Sequence, residues 1–289
     1  MTQPLLKRIP LLRQLLHARD DLRELRAIAE LQLRLDKELL TATLLAQPKY
    51  QDPKRLNRHE AQVFSQNGED GAIAEIFARI GVVDRVFVEF GAGDGMENNT
   101  TYLLFQGWSG FWFEGDESNV QAIRESFEQA VRKNRLVVAR EFLTAERAPE
   151  ILSKHQVPRE FDLLSLDIDR NTSWIWRKLG EFRPRVVVIE YNASIPPQDE
   201  WEIAYSADAK WEGTLCFGVG LRTLQKIGEK LGYVLVGCEL SGTNAFFVRN
   251  DLAVNRFLAP FSAENHYEPP RYFLSRTWGH RRAFNDNCP

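Results

Sequence analysis

The sequence predicts an α/β fold. The expected architecture is a Rossmann-like, seven-stranded sheet, parallel over most of its width, closed by an antiparallel C-terminal hairpin and preceded by an N-terminal helical arm. Three observations predict it. Short apolar runs alternate with segments of helical periodicity from about residue 72 onward, and such alternation builds parallel sheets through right-handed crossovers. The first run, Val86-Phe87-Val88-Glu89-Phe90, passes directly into Gly91-Ala92-Gly93-Asp94-Gly95. There a backbone without Cβ atoms can turn sharply and approach a ligand. The last two runs, 233–238 and 244–249, flank Ser241-Gly242-Thr243, a connection short enough for a hairpin.

The bulk properties narrow the function classes. At 289 residues and 44% hydrophobic, the chain accommodates one large α/β domain with an accessory segment. A net charge of −3 gives no positive field for a nucleic acid, so no nucleic-acid partner is expected. Cys216, Cys238 and Cys288 are scattered, with no CxxC pair, which implies neither a disulfide framework nor a zinc site and fits a reducing cytoplasm. No apolar run approaches the ~20 residues that span a bilayer. Lys7, Arg8 and Arg13 interrupt the first leucines, unlike a signal peptide.

Taken in order, residues 1–47 form the arm. Leu5, Ile9, Leu12 and Leu15 or Leu16, then Leu22, Leu25, Ala29, Leu33, Leu40 and Leu44, make a drifting apolar stripe that is not a strict heptad. The arm is expected to build a homo-oligomer. Two other readings stay open: packing on the domain, and peripheral contact with the inner face of a membrane through Lys7, Arg8, Arg13 and Arg19. Residues 48–58, with Pro48 and Pro53, are a linker. The domain is expected over 59–252. It starts with Ser65-Gln66-Asn67-Gly68-Glu69-Asp70-Gly71, a capping loop whose polar side chains, Gln66 among them, can reach a ligand pocket. After the glycine loop, residues 97–106 read as a helix with its free N–H groups toward the ligand. Strands follow at 111–113, 136–139, 161–166 and 186–189, with helices at 118–132, 148–154 and 174–179. The loop 193–217 precedes a helix at 221–231 and the hairpin. Residues 253–289 read as an extension with a basic-aromatic patch: Arg271, Tyr272, Phe273, Arg276, Trp278, His280, Arg281 and Arg282.

The glycine spacing discriminates between cofactors. A dinucleotide fold wants G-x-G-x-x-G, but Met96 stands where the last glycine would fall, and Glu89 lies two residues before Gly91. E-x-G-x-G-x-G looks like the first motif of S-adenosylmethionine methyltransferases. Gly91, Gly93, Asp94 and Gly95 would then pass under the methionine part of the cofactor, with Glu89 anchoring the loop or the amino group. Glu114 ends the second strand and suits bidentate bonding to both ribose hydroxyls. The end of the third strand, near Thr144, falls on the adenine side.

Asp167 and Asp169 follow the fourth strand, and Glu190 and Asn192 follow the fifth. Adjacent strands are ~4.8 Å apart, so these ends converge. Three readings stay open. Asp167, Glu190 and Asn192 hold Mg²⁺ or Mn²⁺, which lowers the pKa of a substrate hydroxyl. Alternatively, Asp167 or Asp169 is the general base while Asn192 orients the hydroxyl. In the third, Asp167 bonds the cofactor or backbone N–H groups.

Five stretches together resemble the FkbM-type S-adenosylmethionine methyltransferases. They are 65–70, 87–95, 163–169 (Leu163-Leu164-Ser165-Leu166-Asp167-Ile168-Asp169), 187–192 (Val187-Val188-Ile189-Glu190-Tyr191-Asn192) and 244–249 (Asn244-Ala245-Phe246-Phe247-Val248-Arg249). The similarity covers roughly residues 60–250. It implies the class I methyltransferase sheet and methyl transfer to oxygen on a sugar or a polyketide-like product. One departure stands out: Arg170-Asn171-Thr172 replaces the Gly-Asn-Asp usual in the family, which removes an acid from that loop and offers Arg170 to an anionic substrate. Trp201, Glu202, Tyr205, Asp208 and Trp211 on the long loop suit stacking on sugar rings, or packing of the loop. The expected function is an O-methyltransferase of a saccharide hydroxyl. The alternatives are a natural-product O-methyltransferase and a non-catalytic cofactor-binding protein working through its arm.

Overall fold

The computed structural model describes residues 10–168, 170–208, 211 and 213–275. The chain divides into two units, Met1–Gln51 and Asp52–Pro289, so the boundary falls inside the expected linker. The first unit is one long helix, α1 (Pro10–Leu45), followed by a 3-10 turn at Pro48–Tyr50.

The second unit opens with α2 (Glu69–Ile80) and then alternates: β1 (Val86–Phe90), α3 (Thr101–Phe105), β2 (Ser109–Glu114), α4 (Glu117–Ser126), α5 (Glu128–Arg132), β3 (Leu136–Arg140), α6 (Arg147–Lys154), β4 (Glu160–Leu166), α7 (Thr172–Lys178), β5 (Arg183–Glu190) and α8 (Leu221–Leu231). The hairpin β6 (Tyr233–Cys238) and β7 (Asn244–Arg249) closes the sheet, with α9 (Asn250–Ala253) and α10 (Ala263–His266) after it. Strand order is β3-β2-β1-β4-β5-β7-β6. β3 through β5 pair in parallel, and β7 runs antiparallel to both β5 and β6. This is the class I, Rossmann-like methyltransferase sheet. Its order reverses between β1 and β4, the switch point where open α/β sheets leave a crevice.

Both faces of the sheet are covered, which is why its strands read as nearly continuous apolar runs. Phe90, Leu164, Val187 and Phe247 pack on one side with Ile151, Ile175, Trp176 and Leu224. Phe87, Leu163, Val186 and Phe246 pack on the other with Ile76 and Ile123. Neighbours in sequence thus serve opposite layers, as the period-2 pleat requires. At the amino end of the sheet, buried Asp162 accepts from the N–H groups of Asp84 and Arg85 at 2.8 and 2.7 Å and from Arg185 Nη1 at 2.7 Å. This grip sets β1 beside β4.

Three expectations are corrected. The helix expected over 97–106 is only α3, because Glu89 captures the Asn99 N–H and the Thr100 hydroxyl and holds 97–100 as turns. The helix expected over 118–132 breaks at Phe127 (φ −113°, ψ 24°), whose ring lies edge-on to Trp112 at 4.9 Å. The segment 253–275 is no appendage. Phe257 and Ala263 are buried in the two cores, and the Arg271 N–H donates to the Ser241 carbonyl at 2.7 Å. The remaining positions of the basic-aromatic patch, Arg276, Trp278, His280, Arg281 and Arg282, lie outside the described residues, as do the first nine residues.

Candidate functional site

At the switch point the glycine loop leaves β1. Gly91, Gly93 and Gly95 take φ of 81°, 54° and 83°, values at which a side chain is strained. Each glycine answers a different need. A Cβ at Gly91 would lie 1.8 Å from the Asp167 carbonyl oxygen, so glycine lets the ends of β1 and β4 touch. A Cβ at Gly95 would meet Phe127 and Trp112 at 2.7 and 2.9 Å, whereas at Gly93 it would meet nothing within 4 Å.

Two carboxylates hold the loop in place. Glu89 is buried and accepts from the Asn99 N–H at 3.0 Å, the Thr100 hydroxyl at 2.5 Å and the Ser165 hydroxyl at 3.0 Å. Burial pushes its carboxyl up to about 7, the three hydrogen bonds pull it down, and the negative charge of Asp167 adds to the rise. Glu114 bridges the Gly93 N–H at 2.8 Å and the Asp116 N–H at 2.9 Å. Each of its oxygens keeps a lone pair for a ribose hydroxyl. Asp94 accepts the Met96 N–H at 3.0 Å and closes the turn.

A cavity of about 310 Å³ opens beside the loop, lined by Gly91–Asp94, Met96–Asn99, Glu89, Gln66 and Asp167. Asn98 is buried in this wall, and its side-chain Nδ2 has no partner.

The other expected residues are placed differently. Thr144 is not in the cavity wall; its hydroxyl accepts the Arg147 N–H at 3.2 Å, at the start of α6. Asp169 lies outside the described residues. Asn192 is fully buried, and its Nδ2 donates to the Leu215 and Phe217 carbonyls at 2.8 and 2.9 Å. Its Oδ1 accepts the Ser194 N–H at 3.0 Å. Pinned on three sides, it ties both ends of the long loop to β5 and is neither a ligand nor a hydroxyl-orienting group here. Among the described residues no three His, Cys, Asp or Glu side chains converge as a metal centre. Asp167, Glu190 and Asn192 therefore do not fit the Mg²⁺ or Mn²⁺ expected of them.

The long loop is held down by the side chains expected to form its platform. Glu202 accepts from Arg177 at 2.6 and 3.0 Å and from the Ser173 hydroxyl at 2.5 Å. The Tyr205 hydroxyl donates to Glu146 at 2.5 Å, and Trp211 stays half exposed.

Sequence reasoning missed two features. One is the polar run Asn98-Asn99-Thr100, which ties the loop to Glu89 and contributes to the cavity wall; five polar residues in succession, 97–101, after the glycine loop were the available signal. The other is a set of carboxylates beside the hairpin, Glu69 and Glu239 fully buried and Glu60 half-buried. Glu69 accepts from Asn67 Nδ2 at 3.0 Å and Asn244 Nδ2 at 2.9 Å. Glu239 accepts the Ser241 and Asn244 N–H groups at 2.7 and 3.1 Å. Glu60 accepts the Leu240 N–H at 2.9 Å. Burial and the charge of Glu69 push Glu239 up to about 7. Burial and the charge of Glu239 raise Glu60 well above its ordinary value.

Apart from Asp70 Oδ1 and Arg135 Nε, the unpaired buried polar side-chain atoms among the described residues lie toward the carboxyl end of the parallel strands. Asn67 Oδ1, Asn98 Nδ2, Arg170 Nε, Asn171 Oδ1, Thr172 Oγ1 and Asn244 Oδ1 lack a hydrogen-bond partner. They sit before α2, after β1, after β4 and at the start of β7, where Asn244 pairs in register with Glu190 at the end of β5.

No protein-family profile matches the chain, and no curated protein matches it. Of three solved structures it resembles, two are described as methyltransferases or a domain of one, and the third has SAH bound. The methyltransferase domain of bacterial CtHen1-C is 13% identical, with 63% of this chain and 97% of that one covered and a TM-score of 0.40. The N-terminal domain of EvdMO1 with SAH bound is 13% identical, with 65% and 80% covered and a TM-score of 0.39. An S-adenosylmethionine-dependent methyltransferase from Clostridium acetobutylicum ATCC 824 is 10% identical, with 61% and 88% covered and a TM-score of 0.38. These superpositions are partial; the fold assignment rests on the strand order and pairing.

Proposed function

We propose that the chain is an S-adenosylmethionine-dependent O-methyltransferase of the FkbM type, acting on a hydroxyl of a saccharide or glycan-like acceptor. The observation that carries the reading is the cavity at the switch point, walled by a left-handed glycine loop and by Asp167, with unpaired buried polar atoms on the loops around it.

The residues fit the cofactor. Gly93 leaves open space above the loop, the buried Asn98 amide lacks an acceptor, and the Glu114 carboxylate ends β2 with lone pairs left for ribose hydroxyls. When bound there, S-adenosylmethionine supplies an electrophilic methyl group. The chain's own residues orient the acceptor and take its proton. Asp167 is the cavity carboxylate at the carboxyl end of β4 and serves as the general base, accepting the proton as the hydroxyl oxygen becomes the nucleophile. Glu89, buried and accepting from Asn99, Thr100 and Ser165, holds the loop. Arg170, Asn171 and Thr172 follow Asp167, and their unpaired donors and acceptors suit a polyol. No metal is needed in this scheme.

The test is isothermal titration with S-adenosylmethionine and S-adenosylhomocysteine, followed by an assay of S-adenosylhomocysteine release across hexosides, deoxyhexosides and uronic acids. Micromolar cofactor binding with release on one sugar class supports the reading. Absence of binding at about millimolar cofactor, a free energy weaker than about −4 kcal/mol, would overturn it.

A further inference from the structure

The exposed leucines of α1 are the largest feature outside the site. Leu22, Leu25, Ile28, Leu31, Leu35 and Leu39 are 66%, 61%, 56%, 58%, 55% and 69% exposed. At 100° per residue these six spread over roughly half the helix circumference. Arg23, Arg26, Glu30, Arg34 and Glu38 fall on the remaining side.

Two properties of the helix say what covers such a face. The first is charge. Over residues 22–39, the span of these leucines, four basic residues (Arg23, Arg26, Arg34, Lys37) balance four acidic ones (Glu24, Glu30, Asp36, Glu38), whereas the excess basic charge of the arm (Lys7, Arg8, Arg13, Arg19) lies before that span. Several pair within the helix, as Arg26 with Glu30 at 2.8 Å and Arg23 with Asp20 at 3.7 Å. That span has no net attraction to an anionic lipid surface, and Asp21 and Asp36 fall among the apolar positions by helical angle. Against its own copy such a helix meets no repulsion. The second is spacing. Leucine recurs at 11, 22, 33 and 44, and Ala18, Ala29 and Leu40 repeat the same interval. An 11-residue repeat keeps one seam facing a partner helix along the whole length, with a right-handed or nearly straight course. This is the regular order beneath a stripe that drifts when read in heptads.

The area suffices. With Leu33 and Leu40 added, the exposed side chains offer roughly 700 Å² of apolar surface per copy, at about 90 Å² apiece. Full burial of these side chains in two copies sets an upper bound of about 1,400 Å², within the range of stable specific interfaces.

We infer that α1 is an interface through which this chain pairs with a second copy of itself. The inference is independent of the catalytic reading, since it concerns no residue of the cavity.

The experiment is sedimentation velocity on the full chain over about 1 to 50 µM. The expected species has twice the 33.3 kDa monomer mass. Ile28→Glu/Leu39→Glu is expected to weaken pairing by at least about 100-fold, with the far-UV helix signal and the melting temperature of the sheet domain unchanged. Arg23→Glu, on the polar side, is expected to stay dimeric. If the double glutamate variant loses helix signal, Ile28→Ala/Leu39→Ala replaces it with the same expectation. A wild-type monomer across the range, or a dimer that survives both double variants, overturns the inference. So does a monomeric chain that binds phosphatidylglycerol vesicles through the same leucines, which would assign the face to lipid.

Discussion

The glycine loop after β1 and the rim after β4 and β5 stand at the same end of the sheet, yet they are built from different material. The loop is backbone. Its three glycines hold left-handed conformations, and its shape follows from where a Cβ is forbidden. The rim is side chain. Asp167 lies one residue past β4 and Asn192 two residues past the neighbouring β5, but Asp167 lines the cavity while Asn192 is buried under the long loop. A backbone site is determined by local conformational need. A side-chain site is determined by which neighbour reaches each carboxylate or amide first.

Five experiments break or sharpen this contrast, from the largest effect to the smallest. Gly91→Ala places a Cβ 1.8 Å from a backbone oxygen at φ 81°. It is expected to cost more than about 4 kcal/mol and abolish soluble folded protein. Gly93→Ala, with open space around it, should cost only about 1 kcal/mol; equal melting temperatures for the two would undo the account of the loop.

Asp167→Asn should lower turnover by about 10²- to 10⁴-fold, with cofactor affinity and melting temperature kept. A turnover unchanged by this substitution would remove Asp167 as the base. Asn192→Ala should do the reverse. Leaving the Leu215 and Phe217 carbonyls and the Ser194 N–H without their partner costs about 2 kcal/mol of stability, measured by urea unfolding, and any fall in turnover should track that loss.

The acids beside the hairpin give a pH signature. Glu239 titrates near 7 in the fold and near its ordinary value when unfolded. Between about pH 4.5 and 7 the native chain therefore holds a proton the unfolded chain has released, and stability falls as pH rises through that window. Glu89 and Glu60 are raised as well and act in the same direction. Glu239→Gln should flatten the pH dependence of the urea midpoint by on the order of 1 kcal/mol; an unchanged slope would show that Glu239 does not carry the proton. Last, excess EDTA should leave turnover unchanged, and a loss restored by Mg²⁺ would return the rim to metal chemistry.

Much of this was legible beforehand. The seven strands, their alternation with helices and the closing hairpin follow from apolar runs of strand length set between helical periods. Gly91, Gly93 and Gly95 were readable because their spacing is a statement about backbone. Glu89 was legible from the E-x-G-x-G-x-G pattern as an anchor of the loop or of a cofactor amino group, and the structure shows it holding the loop. Its partners Asn99, Thr100 and Ser165 were not, because they lie up to 76 residues away and meet only when β1 and β4 pair. Glu69, Glu239 and Glu60 looked like ordinary surface acids. Their burial depends on the hairpin turn folding against the segment before α2, a contact spanning about 180 residues.

By itself, then, the sequence determined the class of fold, the left-handed loop and the apolar face of the arm, since periodicity and glycine placement act over a few residues. The tertiary structure alone decided which rim residues face the cavity. It turned Asn192 inward to the 215–217 carbonyls, left Asp167 in the wall and gathered most of the unpaired polar atoms at one end of the sheet. The reason is physical: a carboxylate or amide takes its role from the donors, acceptors and solvent around it, and only the assembled sheet brings those together.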